Sequence, residues 1–152
     1  MTAMFLIDTN ILVYQYDSSE SVKQSRALSV VDNLIFAKAA AISTQIMSEF
    51  HSISTKKIAE PLSAISAYER LQNFQQSFLV IDVSAFNVLE AARGVVTYQF
   101  NFWDALIWAT ARLNRIPIVL SEDFNSGASI EGVRFLNPLA EGFALEEWLN
   151  QI

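Results

Sequence analysis

Two hydrophobic patterns alternate along the chain. Short apolar runs of strand length fall at Met4–Asp8, Ala40–Ser43, Phe78–Val83, Pro117–Leu120 and Val133–Leu136. Between them apolar residues recur at helical spacing. Asn10–Tyr16 reads as a first helix, capped by Asp8 or Thr9. Ser21–Ala39 reads as a long amphipathic helix with Ala27, Val30, Val31, Leu34 and Ile35 on its inner side. Thr44 is the expected cap of a helix reaching Lys57, with Ile46, Phe50 and Ile53 on one face and Pro61 breaking it. Helices are also expected over Leu62–Gln75, from Ser84 onward, over Phe102–Asn114 and briefly over Leu145–Leu149. The Phe102–Asn114 segment is apolar nearly all round and should be central. Strands alternating with helices from end to end predict an α/β fold. We expect a three-layer α/β/α sandwich with a short, mostly parallel sheet, and one domain over residues 1–152.

Composition narrows the class. Of 152 residues, 52% are hydrophobic and 17% charged, too apolar for a disordered chain. Asp8 and Asp104 interrupt the richest apolar runs, so no membrane span is expected. Met1–Phe5 carries no positive charge and does not read as a signal peptide. With no cysteine there is no disulfide, thiolate nucleophile or Cys-ligated zinc, which fits a cytoplasmic location. The single histidine, His51, two residues past Glu49, is expected at the surface. Chemistry must come from carboxylates, hydroxyls and amides.

Ten basic and sixteen acidic residues give a net charge of −6, with −1 in residues 1–76 and −5 in residues 77–152. Non-specific duplex binding through a basic face is therefore not expected. What matters is where the acids fall. In open parallel sheets ligands bind at the carboxyl ends of strands. Asp8 ends the first strand and Asp123 lies three residues past Leu120. Glu49 sits at the edge of its helix's apolar face, between Ile46 and Ile53. Asp104 shares a stripe with Ile107, Trp108 and Ala111. Each has an ordinary alternative: a helix cap for Asp8, a dipole partner for Asp104, a surface position for Glu49 and Asp123. Together they are harder to explain that way. Buried carboxylates need partners, and no Lys or Arg adjoins these four in sequence. A shared hard cation with oxygen ligands, Mg²⁺ or Mn²⁺, would serve.

The ordered motifs resemble those of PIN-domain ribonucleases, and within them the VapC-type toxins of toxin–antitoxin modules. They are Phe5-Leu6-Ile7-Asp8-Thr9-Asn10, Ser48-Glu49-Phe50, Phe102-Trp103-Asp104-Ala105-Leu106-Ile107, Leu120-Ser121-Glu122-Asp123-Phe124 and Gly132-Val133-Arg134-Phe135-Leu136-Asn137-Pro138. One departure is that Asn125-Ser126-Gly127 lacks the Asp often found before that glycine. The resemblance implies endonucleolytic hydrolysis of RNA with one or two Mg²⁺ or Mn²⁺ ions. Asp8 and Asp104 would be principal ligands, Glu49 and Asp123 would complete the catalytic set, and Thr9, Asn10 and Ser121 would support them. Two such ions would turn −6 into −2. The implied partners are RNA, a cognate antitoxin and a second copy in a homodimer, with some of the eleven Phe and three Trp left for those contacts. Lys56, Lys57, Arg93, Arg112 and Arg115 are candidates for steering RNA.

Rival classes fit less well. A phosphotransfer receiver domain needs a late lysine, and none follows Lys57. A phosphatase of the Asp-x-Asp type would need a second acid where Asn10 stands. No glycine-rich phosphate loop is present. The remaining alternative is a catalytically idle PIN-like binding module.

Overall fold

The computed structural model describes residues 3–150; Met1 and Thr2 of the amino-terminal reading, with residues 151 and 152, lie outside it. Its sheet holds six strands: β1 (Phe5–Ile7), β2 (Ala40–Ser43), β3 (Leu79–Ile81), β4 (Ile118–Leu120), β5 (Ser129–Ile130) and β6 (Val133–Leu136). Their order is β3-β2-β1-β4-β6-β5, and every pairing is parallel except β5 with β6. The helices are α1 (Thr9–Tyr14), α2 (Ser21–Phe36), α3 (Thr44–Ser54), α4 (Ala64–Ser77), α5 (Ala85–Tyr98), α6 (Phe102–Leu113) and α7 (Glu146–Leu149). The result is an α/β/α sandwich with a mostly parallel sheet.

The chain steps from β1 through β2 to β3 in one direction, then returns past β1 to place β4 on its other side. Right-handed crossovers therefore send α1–α4 and α5–α6 to opposite faces. In agreement, α1 packs on α2 and α3, α3 on α4, and α5 on α6. β1 and β4, central in the sheet, are buried along their length. The gap beyond their carboxyl ends is the switch point of the topology, where open α/β sheets bind ligands.

The α5–α6 seam depends on Gly94. A Cβ there would lie 2.8 Å from the Trp108 ring, so only glycine lets the two helices approach this closely. Trp108 is fully buried and donates to the Ile130 carbonyl at 3.1 Å. Asp104's stripe neighbours Ile107, Trp108 and Ala111 are all core.

Several local expectations shift. Ser43, not Thr44, caps α3, its Oγ accepting from the Ile46 amide at 3.2 Å. Thr44 Oγ1 instead accepts from the Val83 amide across the sheet edge. α3 stops at Ser54, so Lys56 and Lys57 lie in the turn beyond it. β5 was not expected. It forms a hairpin with β6 through Glu131 and Gly132, both at positive φ (48° and 85°), the backbone of a two-residue type I′ turn.

Candidate active site

Strand register builds the centre of the site. Ile7 pairs with Leu120 in the β1–β4 ladder, so the next residues, Asp8 and Ser121, emerge side by side. Ser121 Oγ donates to Asp8 Oδ2 at 2.6 Å, and the Thr9 amide donates to Asp8 Oδ1 at 2.7 Å. Asp8 is thus both the α1 cap and a buried carboxylate, only 5% exposed. Burial, together with the charges of Glu49 and Asp104, pushes its pKa up to about 7 despite those two hydrogen bonds.

The other acids close around it from three further elements. Glu49 stands on α3 and is half-buried; burial and then Asp104 raise its pKa, against the pull of a 2.7 Å hydrogen bond from Gln45. Asp104 stands in the first turn of α6, its pKa raised by burial and then by Asp123. Asp123 is exposed in the loop after β4, where Asn10 Nδ2 donates to its Oδ2 at 2.9 Å. Its amide donates to Ser121 Oγ at 3.2 Å. Ser121 therefore links two of the acids, donating to one and accepting from the backbone of the other. Among the described residues, no ion pair reaches Asp8, Glu49, Asp104 or Asp123.

The supporting residues divide unequally. Asn10 and Ser121 touch the acids through their side chains. Thr9 does so through its amide, and its buried Oγ1 has no hydrogen-bond partner. Gln45 was not foreseen: its Nε2 donates both to Glu49 Oε1 and, at 3.1 Å, to the Trp103 carbonyl, tying α3 to the first turn of α6. A glutamine four residues, about one helical turn, before Glu49 was the available signal. Tyr14, Lys23 and Glu122 form a second unforeseen group. Tyr14 Oη donates to Glu122 Oε1 at 2.7 Å and Lys23 Nζ pairs with Oε2 at 2.8 Å. Burial alone would raise the Glu122 pKa; Lys23 and Tyr14 bring it below its ordinary value. That pins the residue next to Asp123.

The basic candidates are scattered. Lys57 shares a hollow of about 220 Å³ with Asn10 and Tyr14 and so flanks the site. Lys56 is exposed in the same turn. Arg93 and Arg112 are instead bound to Glu90 and Glu131, and Arg112 and Arg115 lie beside Pro117, before β4 begins. That is the amino end of the strand whose other end carries the site, so a role for Arg112 and Arg115 at the acids does not follow from their positions. His51 is exposed.

As a donor set the acids suit a hard divalent ion: their atoms are all oxygen, and among the described residues no cationic side chain pairs with them. Buried acceptors without donors, Asn10 Oδ1 and Gln45 Oε1, adjoin the same carboxylates. Neutral donors hold Asp8, Glu49 and Asp123, and among the described residues no three acidic or histidine side chains form a ready cage.

A PIN domain family model matches residues 5–126, most of the chain, and the chain belongs to the PIN-domain family. Its fold is that of the family's VapC-like toxins. It is similar to a toxin–antitoxin complex from Klebsiella pneumoniae, at 21% identity and TM-score 0.63, over 88% of this chain and 96% of that one. VapC20 of Mycobacterium tuberculosis, a sarcin-ricin loop cleaving toxin, is similar at 16% identity and TM-score 0.62, over 86% and 98% of the two chains. FitAB bound to a DNA fragment gives TM-score 0.67 at 19% identity, over 92% and 99%. No match was found among curated proteins. No helix among the described residues is long and apolar enough to cross a membrane.

Proposed function

We propose that this chain is a metal-dependent endoribonuclease and the toxin of a toxin–antitoxin pair. The observation that carries the reading is the gathering of Asp8, Glu49, Asp104 and Asp123 at the sheet's switch point, with neutral donors on Asp8, Glu49 and Asp123 and, among the described residues, no ion pair to any of the four. One or two Mg²⁺ or Mn²⁺ ions, held by Asp8 and Asp104 with Glu49 and Asp123 completing the set, would relieve the charge on the phosphate and lower the pKa of water. The chain's own residues do the rest. Ser121 and the Thr9 amide fix the Asp8 carboxylate, and Asn10 fixes Asp123. Glu49, its pKa raised and its carboxylate held by Gln45, is suited to accept a proton from the attacking water.

The toxin reading adds partners. The Klebsiella structure is a toxin–antitoxin complex by name, and VapC20 is named a toxin. An antitoxin side chain such as Arg or Lys would pair with the acids and block them. Large apolar side chains remain exposed on α4 and α5, namely Ile65, Tyr68, Phe86 and Leu89, where a second copy or an antitoxin helix would bury them. Purified protein is expected to cleave RNA internally with Mg²⁺ and to stop in EDTA; no cleavage in Mg²⁺ or Mn²⁺ overturns the enzyme reading. Expression alone should arrest growth, and co-expression of the adjacent open reading frame should relieve it. Arrest that is absent or unrelieved removes the toxin and leaves the nuclease.

A further inference from the structure

Next to the acids lies a cleft of about 600 Å³, between α3 and the start of α6. Its size is that of ordinary small-ligand pockets. Trp103 forms one side and is 60% exposed, far from the usual condition of a tryptophan, while Phe102 meets its ring edge-on at 5.3 Å. Val83 and Leu106 add apolar wall; Ser48 and Ser52, one turn apart on α3, line another edge with hydroxyls. No Lys or Arg lines the cleft, and Glu49 does.

Resting on the ribonuclease reading above, we propose that this cleft is a nucleobase subsite. In it Trp103 stacks on an unpaired base adjoining the phosphate that the acids engage. The charge pattern selects the ligand part: a phosphate would meet a carboxylate and no cation, whereas a flat neutral ring meets an aromatic face, apolar walls and hydroxyls that match its polar rim. Geometry supplies the coupling. Glu49 belongs both to the acid group and to the cleft, Trp103 immediately precedes Asp104, and Gln45 bonds to Glu49 and to the Trp103 carbonyl. A base on the indole therefore sets the register of the neighbouring phosphate against the acids. Because bases in a duplex have both faces stacked, the base that Trp103 takes is one outside a duplex.

The test uses the full-length protein and a single-stranded oligoribonucleotide whose cleavage position has been mapped. A series of oligomers carries one abasic nucleotide, stepped across that position. Wild type is expected to lose roughly 5- to 150-fold in kcat/KM when one particular base beside the cut is removed. Trp103→Ala should show the same loss on intact RNA and no further loss on that abasic oligomer. Trp103→Tyr should restore most of the rate. The ring is exposed, so the alanine variant should melt like wild type. In EDTA the intact oligomer should quench tryptophan fluorescence in wild type and not in Trp103→Phe, which keeps Trp108 and Trp148. Unchanged kcat/KM in Trp103→Ala, or tolerance of an abasic nucleotide at every position, overturns the subsite. So does a Trp103→Ala defect confined to binding the adjacent gene's protein, which would make the cleft a protein-docking surface. If wild type cleaves nothing, the ribonuclease reading fails separately; quenching that is equal in wild type and Trp103→Phe, or absent from both, then overturns the subsite.

Discussion

Two groups of carboxylates in this protein face opposite fates. At the hairpin corner, Glu90 and Glu131 pair with Arg93 and Arg112, and Tyr98 donates to Glu131 at 2.6 Å. Tyr98 first, then Arg93, hold the Glu131 pKa below its ordinary value. At the carboxyl ends of β1 and β4, the donors that Asp8, Glu49 and Asp123 receive among the described residues are neutral: a hydroxyl, backbone and side-chain amides. A guanidinium cancels a carboxylate's charge. A serine or asparagine aims it and leaves the charge in place. The first arrangement fastens α5, α6 and the β5–β6 turn together; the second keeps a directed negative field. The contrast recurs between adjacent residues, since Glu122 is paired with Lys23 and Asp123 is not paired with any cation.

The largest effect should come from neutralising the unpaired group. Asp8→Asn and Asp104→Asn are each expected to fold and to lose more than about 100-fold in RNA cleavage, beyond the roughly 10–100-fold typical of supporting residues. Near-wild-type, metal-dependent cleavage by either would place the chemistry elsewhere.

Repulsion among the acids should also be visible in stability. Mg²⁺ at about 100 times its Kd stabilises the folded state by about 2.7 kcal/mol, a rise of roughly 5–10 °C in Tm at this size. Equal melts in EDTA and Mg²⁺ would break the comparison. In EDTA the pH dependence has a definite sign. Asp8 holds its proton to about pH 7 in the fold, against an ordinary 3.8, so the unfolded chain ionises first as pH rises. Its contribution to stability is therefore lost between about pH 4 and 7 and is flat above, on the order of 4 kcal/mol in all. Asp8→Asn should remove that slope and melt higher than wild type at pH 8. A lower melt would show that the charge is better solvated than its burial implies.

Smaller effects sharpen the contrast. Ser121→Ala is expected to cost roughly 10–100-fold in activity through misoriented Asp8, and Asn10→Ala less, because Asp123 is exposed. At the hairpin corner Glu131→Gln should lower Tm by no more than about 4 °C and leave RNA cleavage unchanged. A loss of cleavage there would mean that the two groups are coupled through α6.

Much of the fold was legible because it is local. Strand runs, helical periodicity and an apolar α6 follow from side chains that must find the core, whatever the partner. The inward position of Asp104 was readable for the same reason: its stripe neighbours at spacings of three, four and seven are all buried. The exchange of Thr44 for Ser43 as cap shows the limit, since either hydroxyl suits a helix start and only the sheet edge decides which one is taken by Val83. β5 escaped notice because two residues carry too little pattern, and because the I′ turn holds Glu131 at positive φ where Asn or Asp would have announced it.

By itself the sequence determined the alternation of strands and helices, the absence of thiol chemistry and the four acids with their order along the chain. The tertiary structure decided which charges would meet. Asn10 reaches Asp123, and Ser121 reaches Asp8, across 113 positions, because the chain crosses back and lays β4 beside β1 in one register. The same crossing carries Arg112 and Arg115 to the far end of the sheet and draws Trp103 to the rim beside Glu49. Periodicity reports only whether a residue faces inward. Its partner is set by strand order and register, and those are settled only when all the elements pack together.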